Sequence, residues 1–385
     1  MVGSSKPTRR VGRAQVEEFV SGLFEEDVHA KRVASLVNGV DGVLHAASLG
    51  IRAIGQGLAS AQGLAPQHAI KQVDRLLSNP QLTMAHVGAC WVRFVVGERA
   101  AIVVNFDWTE FEDADQAMVV LGMQTSHGRS TPLVWQTVTR SALKDRRDAH
   151  EDDLLIRFAA AVPKNVRVTV VADRGFGDTK LYAWLTDDLG FDYLIRFRGV
   201  IGVEAANGEC RKARDWIGAD GRMRVLHEAR VTAGRHLVPV VVCVQDRGMK
   251  DAWCLATSRS DLTGSALKQM YGKRFTVEET FRDVKNPRLG LGLKQTVVTR
   301  NDRRDALFLL AVLAHALLTV LGKAGQALGM EGWLGATRSG GISLFRQGLL
   351  LYDLLPTMRE DRLRPLMTRF GELLREHGRR SISTW

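Results

Sequence analysis

Two runs of apolar and β-branched residues each close on an aspartate: AIVVNFD on Asp107 and VRVTVVAD on Asp173. Runs of this kind predict strands buried on both faces, because a half-exposed strand alternates apolar with polar. A carboxylate is costly inside such a strand unless it lies at an edge or meets a cation. If the two strands are neighbours in one sheet, both acids emerge at the same end of it, a usual place for an active site in open α/β sheets. Two carboxylates there repel each other, and a hard divalent cation, magnesium or manganese, would relieve the repulsion. A second reading stays open: strand-end aspartates serving as helix caps or turn residues, above all Asp173, which precedes Arg174-Gly175.

The segments around these runs set the fold class. MVVLGMQT and TPLVWQTVT follow the first run, with SHGRS between them, so the first three strands predict an antiparallel meander. Residues 150–162 predict a helix that stops before Pro163, and TKLYAWLTDDLG a second helix ending at Gly190. FDYLIRF (191–197) is a fifth strand. Three meander strands, then helix, strand, helix, strand, is the order of an α/β, RNase H-like mixed sheet with helices on its faces. From Gly199 to about Asp261, short alternating segments predict an inserted antiparallel β subdomain that is not expected to fold alone. Helix returns at Ser265 and carries through to Lys285, and the chain from Asn301 is mostly helical, with a break at RSGGIS (338–343).

Upstream of the strands the pattern is helical. Val16, Phe19, Val20 and Leu23 recur at three- and four-residue steps, and similar stretches run over 29–49 and 67–77. The last, QHAIKQVDRLLSN, carries Lys71, Arg75 and His68 opposite an apolar face, which suits a helix along DNA and equally a solvated charged face. The predicted division is a basic disordered arm (1–13), a helical domain (14–95), two parts of an α/β core (96–198 and 263–325) around a β insertion (199–262), and a C-terminal helical region (326–385).

Charge narrows the partners. The chain carries 53 Lys and Arg against 42 Asp and Glu, a formal net charge of +11. Such a surface attracts polyanions, nucleic acid first among them. The four cysteines, Cys90, Cys210, Cys243 and Cys254, form no C-x2-C pair, so no zinc module is implied; they read as small buried residues in a reduced, cytoplasmic compartment. ALFLLAVLAHALLTVL (306–321) is sixteen residues long and flanked by Arg303, Arg304 and Lys323, which predicts a buried core helix and no membrane partner.

The segment YGKRFTVEETFRDVKN brings four chemical groups together. Tyr271, Arg274, Glu278 and Lys285 are three, four and seven apart, offsets that stack them on one face of a continuous helix, with Phe275 and Phe281 off the stripe and facing the core. A solvated, salt-bridged surface and a catalytic face both fit: one carboxylate for metal, two cations and a phenol for phosphate oxygens.

The spacing Tyr-x2-Arg-x3-Glu-x6-Lys resembles the YREK signature of the bacterial insertion-sequence transposases of the family numbered four. NFDWT (105–109) and VVADRGFGD (170–178) resemble the first and second Asp motifs of that family, and the resemblance covers about residues 95–320. It implies a DDE transposase that cuts transposon ends and joins them to target DNA, with two Mg2+ or Mn2+ ions on Asp107, Asp173 and Glu278. It implies phosphate contacts from Tyr271, Arg274 and Lys285, and a stacking role on a flipped base for Trp253, a residue that a strand core would also explain. The implied partners are double-stranded DNA, as terminal inverted repeats and target, and a second copy of the chain in a homodimer. Two alternatives share many of these features: an RNase H-like nuclease that only hydrolyses, and an inactive DNA-binding relative.

Overall fold

The computed structural model describes residues 13–218, 221–335 and 341–379. The predicted basic arm, apart from Arg13, and the first half of the RSGGIS break lie outside the described residues.

The chain is a mixed α/β protein organised on one ten-stranded sheet in the order β3-β2-β1-β4-β5-β10-β9-β8-β6-β7. β1 (Ala101–Phe111), β2 (Gln116–Gln124) and β3 (Ser130–Thr139) form the antiparallel meander expected from the sequence. β4 (Arg167–Ala172) and β5 (Asp192–Phe197) then add in parallel beside β1. The crossovers are α6 (Arg147–Ala161) and α7 (Thr179–Ala183), the latter continued by one π-helical turn over Trp184–Asp188. This is the RNase H-like arrangement.

The segments read as an insertion, β6 (Gly202–Glu204), β7 (Cys210–Lys212), β8 (Arg224–Val231), β9 (His236–Val244) and β10 (Trp253–Thr257), extend the same sheet. The junction is β10, which pairs antiparallel with β5 through Cys254↔Phe197 to Thr257↔Leu194. Val240, Val242 and Leu255 pack with Val171 and Leu194 in one cluster, so apolar surface is continuous across the join. Cys243 and Cys254 face each other across β9 and β10 and are buried with Cys90, whereas Cys210 is exposed on the outermost strand.

Among the described residues, five helices precede the sheet: α1 (Arg13–Phe24), α2 (Ala30–Ala46), α3 (Ile51–Gln62), α4 (Pro66–Leu77) and α5 (Met84–Val96). Two of them, α3 and α5, add to the three stretches visible in the sequence. Gly55 and Gly57 interrupt the apolar pattern of α3, and packing supplies what propensity lacks. A Cβ on Gly57 would lie 2.5 Å from the Gly42 carbonyl oxygen of α2, so the two helices meet backbone to backbone.

After the sheet come α8 (Gly264–Gly272), α9 (Thr276–Lys285), α10 (Asn301–Ala327), α11 (Leu344–Leu354) and α12 (Glu360–Arg379). The expected single helix from Ser265 to Lys285 is two, separated by a 3-10 turn over Lys273–Phe275. Gly272 is a poor helix former, and the Thr276 hydroxyl bonds the Lys273 carbonyl at 2.7 Å, offering the backbone a tighter turn.

α10 has 27 residues, longer than its apolar stretch suggested, and is long and apolar enough to cross a membrane. It is buried inside the fold, where α2, α4, α11, α12 and β3 surround it. It meets α11 backbone to backbone, where a Cβ on Gly348 would fall 1.7 Å from the Leu318 carbonyl oxygen. Gly348→Ala is therefore expected to force the two helices apart and lower stability by about 2 kcal/mol, read from urea unfolding. An unchanged unfolding midpoint would mean that the helices separate freely.

Candidate active site

β1 and β4 run parallel in the register Asn105↔Val171 and Phe106↔Ala172. Asp107 and Asp173 are the next residue on each strand. The sequence placed both at strand ends, and only Asp173 is at one. β1 continues to Phe111, paired with β2 alone, because β4 stops at Ala172. Asp107 thus lies mid-strand, beside the gap that β4 leaves when it turns away, and that gap gives its carboxylate room at the sheet's end.

Asp173 opens a 3-10 turn over Arg174–Phe176 and its Oδ1 accepts from Gly175 N at 2.7 Å. The cap geometry weighed for this residue is present, and it leaves the second carboxylate oxygen out of that bond.

The third acid reaches the gap from α9. Arg274, in the turn between α8 and α9, sends Nη1 to Asp107 Oδ2 at 3.3 Å and Nη2 to Glu278 Oε1 at 2.9 Å. Its side chain is 8% exposed against 51% for Glu278, so one buried guanidinium ties a partly buried acid to an open one. Burial works against the Arg274 charge, and Asp107, Tyr271, Glu278 and Asp173 outweigh it and hold the pKa above the ordinary value. Asp107 has been pushed up to about 6, chiefly by burial. Arg274 opposes that rise, and Asp173 and Glu278 add to it. All three acids therefore act on one small region of charge.

The four residues spaced for one helical face divide between two elements. Tyr271 is buried in α8, its phenol pKa raised by burial, with Trp253 edge-on at 4.8 Å between ring centroids. Phe275, expected in the core, is 43% exposed instead. It lies under the Arg274 guanidinium at 4.6 Å and tilted against Trp253 at 6.3 Å, because the 3-10 turn rotates it away from the helix's buried side. Trp253, Tyr271 and Phe275 thus form an aromatic wall beside Arg274. Lys285, at the far end of α9, donates to Thr109 Oγ1 at 3.0 Å and to the Glu110 carbonyl at 2.8 Å, and sits over the Phe111 ring. Burial and the nearby Lys294 and Arg304 lower its pKa to about 8.

Several supporting residues escaped the sequence reading. Asn105, fully buried on β1, accepts from Gln124 Nε2 at 2.7 Å and donates to Thr276 Oγ1 at 3.2 Å. Its signal was visible: a polar residue in an apolar run, two positions before Asp107 and on the same face. Trp108 donates to Glu151 Oε1 at 2.7 Å and carries Arg147 over its ring, and burial raises the Glu151 pKa to about 7. No sequence pattern links residues 108 and 151.

Among the described residues, no three His, Cys, Asp or Glu side chains stand close enough together to hold a metal ion. The donor set is nonetheless one that suits a hard cation. Arg274 bonds the carboxylates of Asp107 and Glu278, Asp173 is near enough to act on its charge, and burial keeps Asp107 reluctant to ionise.

No curated protein matches the chain. Residues 126–317 match the family model of the transposase DDE domain. The matched stretch contains Asp173, Trp253, Tyr271, Arg274, Glu278 and Lys285, and begins after Asp107. Over that stretch, just under half of its length, on an RNase H-like sheet, the chain is similar to the transposases that carry this domain, enzymes that cut and join DNA.

Proposed function

We propose that this chain is a transposase of the insertion-sequence family numbered four, cleaving transposon ends and joining them to target DNA with two divalent ions, Mg2+ or Mn2+, held by Asp107, Asp173 and Glu278. The observation that carries the reading is the single buried guanidinium of Arg274 that ties Asp107 to Glu278, with Asp173 beginning where the neighbouring strand ends. The divalent ions would supply Lewis-acid activation of the attacking oxygen and neutralise the scissile phosphate.

The chain's own groups do the rest. Asp107 and Asp173 are fixed to adjacent strands, so their separation is set by the sheet. Arg274 shields the acids from one another in the free protein and turns to a phosphate oxygen when DNA arrives, a bidentate partner for which guanidinium is suited. Trp253 and Phe275 offer ring faces to a base taken out of the stack, while Tyr271, the phosphate contact that the resemblance implied, is buried behind Trp253 and supports its ring. Lys285 braces the part of β1 beyond Asp107 and reaches a phosphate once its bonds to Thr109 and Glu110 give way. The preceding helices, within 14–95, would hold the transposon end, the β strands of 199–262 would carry Trp253 to the site, and two copies of the chain would pair two ends. The net charge of +11 supports binding that weakens steeply with salt.

The test is a plasmid carrying the element's ends, incubated with Mg2+ or Mn2+ and either the parent protein or Asp107→Ala. Nicked and then strand-joined products are expected from the parent alone. Equal nicking by both proteins would remove Asp107 from the site, and nicking without any joined product would favour an RNase H-like nuclease.

A further inference from the structure

The face that α9 turns to the β2–β3 hairpin is polar. Thr276, Thr280 and Asp283 fall at steps of four and three, one stripe of the helix. Each is bonded to the sheet or to the turn between β2 and β3. Thr276 Oγ1 accepts from Asn105 Nδ2 at 3.2 Å. Thr280 Oγ1 accepts from Ser130 N at 2.9 Å and donates to Ser130 O at 2.8 Å, so one side chain closes on both backbone groups of the first β3 residue. Asp283 receives the Arg129 fork, Nε to Oδ2 at 2.5 Å and Nη2 to Oδ1 at 3.3 Å. His315 of α10 comes to the same Oδ2 at 3.5 Å, its ring stacked flat on Phe345 of α11 at 4.4 Å. Burial alone would raise the Asp283 pKa; hydrogen bonds from His315 and Arg129 outweigh it and hold it low.

Such a stripe gives the fold little net stability, since buried ion pairs barely offset their lost hydration. What it supplies is angle. An apolar stripe tolerates a roll of the helix, whereas a two-pronged carboxylate–guanidinium contact and a doubly bonded hydroxyl do not. Glu278 projects from roughly the opposite side of α9, at about 100° per residue, so the roll fixed at Thr280 and Asp283 is the roll that aims Glu278. A turn of about 20° would displace a carboxylate at the helix rim by about 2 Å.

We propose that Arg129, Asp283 and His315, with Thr280, are positioning residues that lock the roll of α9 and hold Glu278 toward Asp107. This rests on the assignment of Glu278 above. The contact reaches the site only through α9, and a displacement of about 1 Å can cost about 100-fold in rate.

The experiment uses the full chain with Asp283→Asn, Arg129→Gln and Thr280→Val beside Glu278→Gln, and His315→Gln as the mildest variant should Asp283→Asn fail to fold. Four readouts are taken: end-DNA affinity without metal, Mn2+ binding by titration, amide exchange over residues 276–285, and nicking rate per folded molecule. The expected result for the positioning variants is unchanged DNA affinity, Mn2+ binding weakened several-fold and exchange accelerated in α9 while β4 and β5 stay protected. Nicking should be about 100-fold slower. Parental nicking per folded molecule with parental Mn2+ binding would overturn the proposal, even if the melting temperature fell, because a purely structural role predicts that pattern. If Glu278→Gln is inactive while Asp283→Asn behaves like the parent, this inference fails alone. If Glu278→Gln nicks like the parent, the assignment of Glu278 fails first.

Discussion

Glu278→Gln is expected to slow metal-dependent nicking about 1,000-fold while leaving transposon-end binding within a factor of two, the scale seen when one group that stabilises transition-state charge is removed. The side chain is half exposed and bonded to Arg274 Nη2, so the substitution buries no new polar group and opens no cavity. The amide keeps an oxygen for that bond. What it loses is the negative charge that a divalent ion requires. Nicking of supercoiled plasmid, alongside a mobility shift on end DNA in a metal-free buffer, separates the two effects. Parental nicking would exclude Glu278 from the reaction, and a joint loss of binding and nicking in a folded protein would make it a structural residue.

Asp107→Asn is expected to stabilise the fold at neutral pH while eliminating activity. Burial raises the Asp107 pKa from 3.8 to about 6 even with Arg274 alongside, so the ionised carboxylate costs the folded chain up to ~3 kcal/mol. The direction follows from proton counts. Between about pH 4 and pH 6 the folded chain holds more protons on this residue than the unfolded chain, so its contribution to stability falls as pH rises through that window. Above it the penalty is complete, and below it absent. Asparagine carries no charge, keeps an oxygen facing Arg274 Nη1 and leaves the Glu278 bond in place. Urea unfolding should therefore favour the variant at about pH 7.5 and show near equality at about pH 4. A variant less stable than its parent at neutral pH would show that Arg274 compensates the carboxylate in full.

The buried strands and their two aspartates were legible because burial on both faces leaves a composition that turns and helices do not mimic. The spacing from Tyr271 to Lys285 was legible as well, although as a single helical face it was misleading. The break at Gly272 and Thr276 depends on a side-chain bond to the backbone, a competition that periodicity does not register. Asp107 reads as a strand terminus because nothing local reveals that β1 outlasts its parallel neighbour; that is set by where β4, sixty residues on, turns away. The same limit hid the join between β5 and β10. Each strand was visible, and the pairing of Phe197 with Cys254 is a property of the sheet. Arg129 and Asp283 stayed unremarked because they lie 154 residues apart and each alone reads as an ordinary surface charge.

α10 is where helices from before and after the sheet come to rest. Arg303 near its start holds Asp74 of α4 at 2.6 Å, Leu310 lies beneath Gly39 of α2, and Gly322 accepts the close approach of α11. The helices proposed to grip the transposon end are thus not a detachable head on a tether. Anyone retargeting such an enzyme by grafting in a foreign set of leading helices would have to redesign one flank of this central rod along with them, or leave it bare to solvent and prone to clump.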